Sequence, residues 1–350
     1  MPGTIQAAMK RGVTIKDIAK KLNMSVSTVS KALNNDASIS ALTSERVKAL
    51  AKQLNYIPNE AARHFKLARS FTLGLIIPDI LDQYYAVAAN GVEETAEKHG
   101  YNVILTQSHE DEQKEEKIVD VMIRNRVDGV IVSITKNRTD MQPFEKLLSI
   151  GIPVVCIGRE PKSGQFDYVS SNNHDGAVMA TEFLIGRGHR RIAHLMGPAG
   201  MRTSQARFEG YKQALAAHGI PFSAALTECV DLTRAGTFAA MQRLMQLPEP
   251  PTAIVTFKNY ITLDAIDYLK KYHPALVNEV QFTGFGNLPM LHHLDHKPLA
   301  SIEERSFEMG EEAARILFER ICEDAEATER VYRSSQLPCR LVVHDDAEEE

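Results

Sequence analysis

The chain has 350 residues, 44% hydrophobic and 24% charged, a composition that suits two or three globular domains with real cores. Its longest apolar stretches, such as 73–77, are strand-sized and far short of the roughly 20 residues a bilayer span needs, so a membrane protein is excluded from the expectation. The net charge of −5 is unevenly spread: residues 1–69 carry 12 Lys and Arg against four acids, a balance of +8 that leaves −13 for the rest, as in a polyanion-binding head joined to a regulatory body.

The opening MPGTIQAAMKRG lacks the apolar core of a secretory signal, which points to the cytoplasm. Thr14 then reads as a helix N-cap answered by Asp17, and Ile15, Ile18, Ala19 and Leu22 share one face. Asn23 and Met24 break the pattern. Ser25 caps a second helix whose inner side is Val29, Ala32 and Leu33. A third helix, beginning near Thr43, Ser44 and Glu45, carries Val47, Leu50, Ala51 and Leu54 at helical spacing. Three short helices around one small core describe a helix-turn-helix domain over 13–57. The outer face of its second helix holds Val26, Ser27, Thr28, Ser30 and Lys31, whose short hydroxyls let a helix approach the phosphate backbone and the base edges of a major groove.

The stretch VTIKDIAKKLNMSVSTVSKALNN closely resembles the helix-turn-helix signature of the LacI family of bacterial transcription regulators. The resemblance implies that Val26, Ser27 and Lys31 read bases, and that Thr14, Ser25, Thr28 and Ser30 hold the backbone with Asn34 beside them. Many relatives have Arg where Lys31 stands, so the operator half-site does not carry over. Residues 58–70 follow as a connector that begins with a proline suited to a first helical turn and is too short to be stable alone. In the family this hinge helix orders on DNA, pairs with its dimer mate and pushes a leucine into the minor groove. Phe65 takes the leucine's place here, with Asn59 and Ala62 as further contacts, and an aromatic wedge can unstack a base step.

From Phe71 onward strand-like runs alternate with helical ones: FTLGLIIPD, NVILTQS, DGVIVSI, IPVVCIG, YVSSN, RIAHLMGP, TAIVTF and VQFTGFG, separated by helices near 86–99, 111–126, 175–187, 204–218 and 263–272. Alternation of this kind means parallel sheets with crossover helices, in an α/β body. Periodicity does not choose between one barrel and two open sheets. LIGRGHRRIAHLMGP at 184–198 and LASIEERSFEMGEEAARIL at 299–317 extend the family resemblance over nearly the whole chain. It implies two Rossmann-like subdomains of periplasmic-binding-protein type, 71–168 with 299–331 and 169–298 with 332–345, crossing near 168–171, 296–300 and 331–335. An effector cleft is implied between them, and a homodimer whose interface involves helices near 85–99 and 111–126.

By the same resemblance Tyr84 and Tyr85 stack an effector, Arg207 grips its oxygens, and Asp79, Asp82, Asn172, Met201, Thr203, Leu232 and Asn259 fall at other cleft positions. Two departures stand out. Gly286 replaces an aspartate that sugar- and purine-binding relatives carry, and Lys258 precedes Asn259 where many have an Asn-Asp pair. Loss of a carboxylate and gain of a cation suggest an anionic effector held by Lys258 and Arg207. His292 and His296 have ligand spacing only if helical, and Cys156, Cys229, Cys322 and Cys339 form no CxxC pair, so neither metal nor cofactor is expected. No GxSxG, Walker loop or complete GxGxxG follows a strand, so no enzyme is expected. The expected function is a sequence-specific DNA-binding regulator, usually a repressor, controlled by a sugar or sugar derivative. A stand-alone solute-binding protein or an enzyme on the same scaffold are the alternatives. Phe65→Ala is expected to weaken operator binding; an unchanged operator Kd in an electrophoretic mobility assay would remove the wedge.

Overall fold

The structure is a computed structural model that describes residues 13–56, 69–136, 138–161, 165–323 and 331–344. The expected hinge positions Asn59, Ala62 and Phe65 lie outside the described residues. The chain divides into two compact units, 1–70 and 71–350.

The first unit contains α1 (Ile15–Leu22), α2 (Val26–Leu33) and α3 (Ala41–Gln53). Their inner faces bury Ile18, Ala19, Val29, Ala32, Val47 and Ala51. The helix starts are fixed locally. The Asp17 carboxylate accepts from both the amide and the hydroxyl of Thr14, at 2.8 and 2.7 Å, and the Ser25 hydroxyl accepts from the Thr28 amide at 3.0 Å. α3 begins earlier than its first Thr-Ser-Glu suggests, because Ser40 caps it by accepting from the Thr43 amide at 3.3 Å. Asn23 leaves α1 in the left-handed region, φ 53°, and so makes the tight turn.

The second unit runs, in chain order, β1 (Thr72–Ile77), α4 (Gln83–Lys98), β2 (Asn102–Gln107), α5 (Glu112–Asn125), β3 (Gly129–Val132), α6 (Gln142–Ser149), β4 (Val154–Ile157) and β5 (Asp167–Ser171). It continues with α7 (Asn173–Gly186), β6 (Ile192–Met196), α8 (Arg202–Ala217), β7 (Thr227–Cys229), α9 (Arg234–Met245), β8 (Ala253–Thr256), α10 (Asn259–Tyr272) and β9 (Gln281–Phe285). The last elements are β10 (Ala300–Glu303), α11 (Ser306–Cys322), β11 (Ser334–Leu337) and β12 (Arg340–Val343).

These strands form two sheets, ordered β11-β5-β4-β3-β1-β2 and β12-β10-β9-β8-β6-β7. Every pairing is parallel except β10 with β12. Parallel strands need cover on both faces, and the sequence supplies it by alternation. In the first sheet Leu73, Leu75, Ile131 and Val155 pack under α4 and α11, whereas Ile76, Val130, Val132 and Val154 face α5 and α6. In the second sheet Ala193, Leu195, Ile254 and Phe282 meet α9 and α10, whereas Ala253, Val255 and Ile302 meet α7 and α8. α4 and α11 approach closely enough that a Cβ on Gly91 would lie 2.1 Å from the Phe307 carbonyl, and one on Gly310 2.0 Å from that of Ala88. Among the described residues no helix is long and apolar enough to cross a membrane.

Sheet membership corrects the expected subdomain boundaries by a few residues. β5 lies wholly in the first sheet, β10 in the second and β11 in the first, so the chain crosses at Asn172, at Glu304 and Arg305, and at Pro338 and Cys339. The expected assignment of 169–171 and 332–337 to the second subdomain, and of 299–303 to the first, therefore does not hold. The cause is that SSQL and ASIE are short and mixed in polarity, so no apolar run announces either as a strand.

Candidate functional site

A cleft opens where the carboxyl ends of β1 and β4 face those of β6, β8 and β9 across the crossings, the position at which open parallel sheets bind ligands. It encloses about 160 Å³, room for on the order of ten waters, which is the scale of a ligand rather than of trapped solvent.

From the first sheet, the loop after β1 places Asp82 as the N-cap of α4, and the following Tyr84 and Tyr85 lie edge to face with ring centroids 5.0 Å apart. The Tyr84 hydroxyl donates to the Met309 sulfur at 3.2 Å, which fixes its ring. Burial raises the pKa of both phenols, so they present neutral rings. Arg159, directly after β4, lies over the Tyr85 ring and is held by Glu110 at 2.7 Å. Burial pushes the Glu110 carboxyl up, but the Arg159 bond outweighs it and keeps the acid ionised.

From the second sheet comes Arg207 on α8, only 4% exposed. Its Nε donates to Asn173 at 2.8 Å, one terminal nitrogen to the Phe257 carbonyl, and the other to Glu304 at 2.6 Å. The guanidinium also stacks 3.6 Å from the centroid of Phe285. Of five guanidinium N–H groups, two are left over for a ligand after these bonds. Burial raises the Glu304 carboxyl above its ordinary value, with the charge of Arg207 pulling the other way.

Among the expected cleft positions, Tyr84, Tyr85, Met201, Thr203, Arg207, Leu232, Lys258, Asn259 and Gly286 line the cavity. Asp79 and Asn172 do not. Asp79 accepts from the Leu81 amide at 2.9 Å, and Asn172 caps α7 by accepting from the Asp175 amide at 3.1 Å, so both are spent on local turns. Asp82, expected beside Asp79, does reach the cavity, and Asn173 reaches it in place of Asn172. Asn259 lines it but is internally committed: its amide donates to the Gly286 carbonyl at 2.5 Å and to the Ser301 hydroxyl at 2.7 Å. Gly286 adopts φ 92°, a conformation in which an aspartate would be strained.

The expectation that Lys258 and Arg207 offer unpaired charge to an anion is corrected by their partners. Lys258 reaches across the cleft to Asp82 at 3.3 Å, and Arg207 is paired with Glu304. The missing acceptor is thus supplied twice, by other elements. Sequence reasoning missed Arg159, Asn173 and Glu304; the one available signal was a charged residue immediately following a strand, as in IGRE and SIEER. His292 and His296 are not on one helix, because the short 3-10 turn Pro289–His293 ends between them.

On the first unit, Val26, Ser27 and Lys31 stand exposed on α2. The hydroxyls of Ser25 and Thr28 bond each other at 2.8 Å, and the Asn34 side chain donates to the Ser30 carbonyl at 2.8 Å. Lys31 extends to the Ser38 hydroxyl at 3.3 Å, an exposed contact that a partner can displace.

Residues 14–59 match the bacterial regulatory proteins of the lacI family, and 70–345 match the periplasmic binding proteins and sugar binding domain of that family. The chain is 30% identical over 308 residues to the HTH-type transcriptional repressor CytR of Escherichia coli K12, covering 88% of this chain and 89% of that one. It is 29% identical over 310 residues to the ribose operon repressor of the same strain, covering 88% and 93%. Among solved structures, a complex of the transcriptional regulator CelR with cellobiose superposes with a TM-score of 0.68 at 27% identity, over 95% of this chain and 98% of the other.

Arg207→Ala strands the Glu304 carboxylate and is expected to cost about 3–5 kcal/mol of stability in urea unfolding. Most of that loss should return in Arg207→Ala/Glu304→Gln. The loss should also shrink as pH falls, because protonation of Glu304 removes the stranded charge. Equal losses in the single and double variants, independent of pH, would mean that the two side chains are not coupled.

Proposed function

The chain belongs to the LacI family of bacterial regulatory proteins, a DNA-binding transcription regulator with a ligand-binding body, and from that premise we propose how its own residues divide the work. The exposed Val26, Ser27 and Lys31 read base edges in the major groove, while Thr14, Ser25, Thr28, Ser30 and Asn34 position the helix ends against the phosphate backbone. One α2 reads only a half-site, so the working form is a homodimer on a two-fold symmetric operator. Asn59, Ala62 and Phe65 complete the contact at the operator centre.

The cleft takes a sugar-like effector. The observation that carries this reading is the charge balance of the cavity: Lys258 with Asp82, Arg207 with Glu304 and Arg159 with Glu110 leave paired donors and acceptors between neutral rings. A hydroxyl donates to a carboxylate while accepting from a guanidinium or ammonium, so a polyol satisfies such pairs without adding net charge. Tyr84, Tyr85, Phe257 and Phe285 offer faces for the apolar side of a ring. Lys258 and Asp82 come from different sheets, so a ligand bonded to either changes the balance that holds the cleft in this arrangement.

Two measurements check the halves separately. Duplexes selected from a random pool by the full-length protein should bind Ser27→Ala and Lys31→Ala at least about tenfold more weakly, with binding to unrelated duplex little changed. Equal losses on both duplexes would make α2 a backbone contact only. In thermal-shift assays pentoses, hexoses, disaccharides and nucleosides should include at least one stabilising ligand whose effect is lost in Asp82→Ala; no shift across the panel would remove the sugar reading.

A further inference from the structure

A smaller cavity opens beside the main cleft, lined by Thr135, Lys136, Arg159, Met201, Arg202 and Thr203 among others. Arg159, Met201 and Thr203 line both, so the two spaces are neighbours. The side arm holds about 40 Å³, room for on the order of three waters, which suits a compact polyatomic group and not a second ring.

Its chemistry follows from three observations. The arm lies at the N-terminus of α8, a helix of 16 residues whose N-cap, Met201, has no side chain to accept a hydrogen bond. The amides of Arg202, Thr203 and Ser204 accordingly have no acceptor among the described residues, and the aligned peptides place partial positive charge there. Independently, Thr135 lines the arm at 2% exposure with a hydroxyl that has no partner, as does the hydroxyl of Thr203. Buried hydroxyls are ordinarily bonded, so both lack a partner that a ligand atom in the arm, met by a small side-chain rotation, would supply. Finally, Lys136 lines the arm and its ammonium enters no hydrogen bond or ion pair among the described residues. The other cations are spoken for, Arg138 by Glu115, Arg159 by Glu110 at 2.7 Å and Arg202 by Glu160 at 2.6 Å, a bond that also offsets the one carboxylate lining the arm.

We propose that the effector carries an anionic group, a phosphate ester or a carboxylate, which sits in this side arm on the α8 amides, Thr135, Thr203 and Lys136 while its uncharged ring occupies the main cleft. The inference rests on the sugar-effector reading above and relocates the anion from Lys258 and Arg207, which are paired, to donors that are not. Amides at a helix start, two hydroxyls and one ammonium are the donor set that an oxyanion needs, and charge-assisted bonds of this type are the stronger ones.

Isothermal titration of the full-length protein tests it with ribose against ribose 5-phosphate, glucose against glucose 6-phosphate and glucuronate, and inorganic phosphate alone. At least one charged sugar should bind about tenfold or more tightly than its neutral parent. That advantage should vanish in Lys136→Met and fall in Thr135→Val, with affinity for the neutral parent retained. Thr135→Val removes a hydroxyl that has no partner, so folding should survive and the result stay readable. Whichever of phosphate ester and carboxylate gains the advantage identifies the group. Neutral and charged sugars binding alike would overturn the side arm while leaving the sugar reading intact. An advantage untouched by both substitutions would return the anion to the main cleft. Inorganic phosphate as tight as any ester would make the arm a free-anion site, and silence from every sugar would remove the sugar reading and this inference together.

Discussion

The buried pair of Arg207 and Glu304 is the constraint around which the cleft is arranged. Two charges withdrawn from water cost several kcal/mol each in desolvation, and their attraction repays it only if the remaining donors and acceptors are also met. Asn173, the Phe257 carbonyl and the Phe285 ring meet part of that need and leave two guanidinium N–H groups for a ligand to meet. Asn173 begins the helix that follows one crossing and Glu304 lies at another, so a single side chain from α8 ties two of the three connections between the sheets. A ligand that takes Arg207's remaining N–H groups therefore acts on the segments that join the subdomains. That is a physical route from a small molecule to a change in arrangement, of the kind that effector-controlled proteins need.

The head uses short polar side chains for two purposes that compete for the same residue types. Ser25 and Thr28 are turned on each other and on the start of α2, whereas Ser27 and Val26 on the same helix are left outward. Capping fixes where the helix begins, and so which residues face out. Among the described residues the head buries six side chains in its core, a small number for a folded unit, so helix caps worth about 1 kcal/mol each matter more there than in the larger body.

How much of this was legible in the sequence depended on the range of each interaction. Helix starts at Thr14 and Ser25 are written within three residues, and they were readable. The strands covered on both faces, such as β1, β3, β4 and β8, announce themselves as apolar runs. Edge and closing strands such as β11 do not, because half-exposed SSQL reads like any loop. In the cleft, the family resemblance led to Asp82, Tyr84, Tyr85 and Arg207, but it also took in Asp79, which turns away, and named Asn172 where its neighbour Asn173 lines the cavity. Partner choice was illegible. Lys258 and Asp82 lie 176 residues apart and Arg207 and Glu304 lie 97 apart, and nothing local to either position says that a lone cation has an acid waiting across the fold. Reading Lys258 as free charge was the natural consequence, and the geometry reverses it.

Control of DNA binding by the cleft is the central claim, and linkage makes it directly measurable. With the sugar that gives the largest thermal shift, and a duplex selected by the protein, four dissociation constants suffice: duplex with and without sugar, and sugar with and without duplex. Coupled sites require the two ratios to be equal and to differ from one, by roughly 5- to 150-fold for typical coupling energies. A sugar that binds tightly yet leaves the duplex affinity unchanged would contradict the claim, and would make the body a binding module without authority over the head.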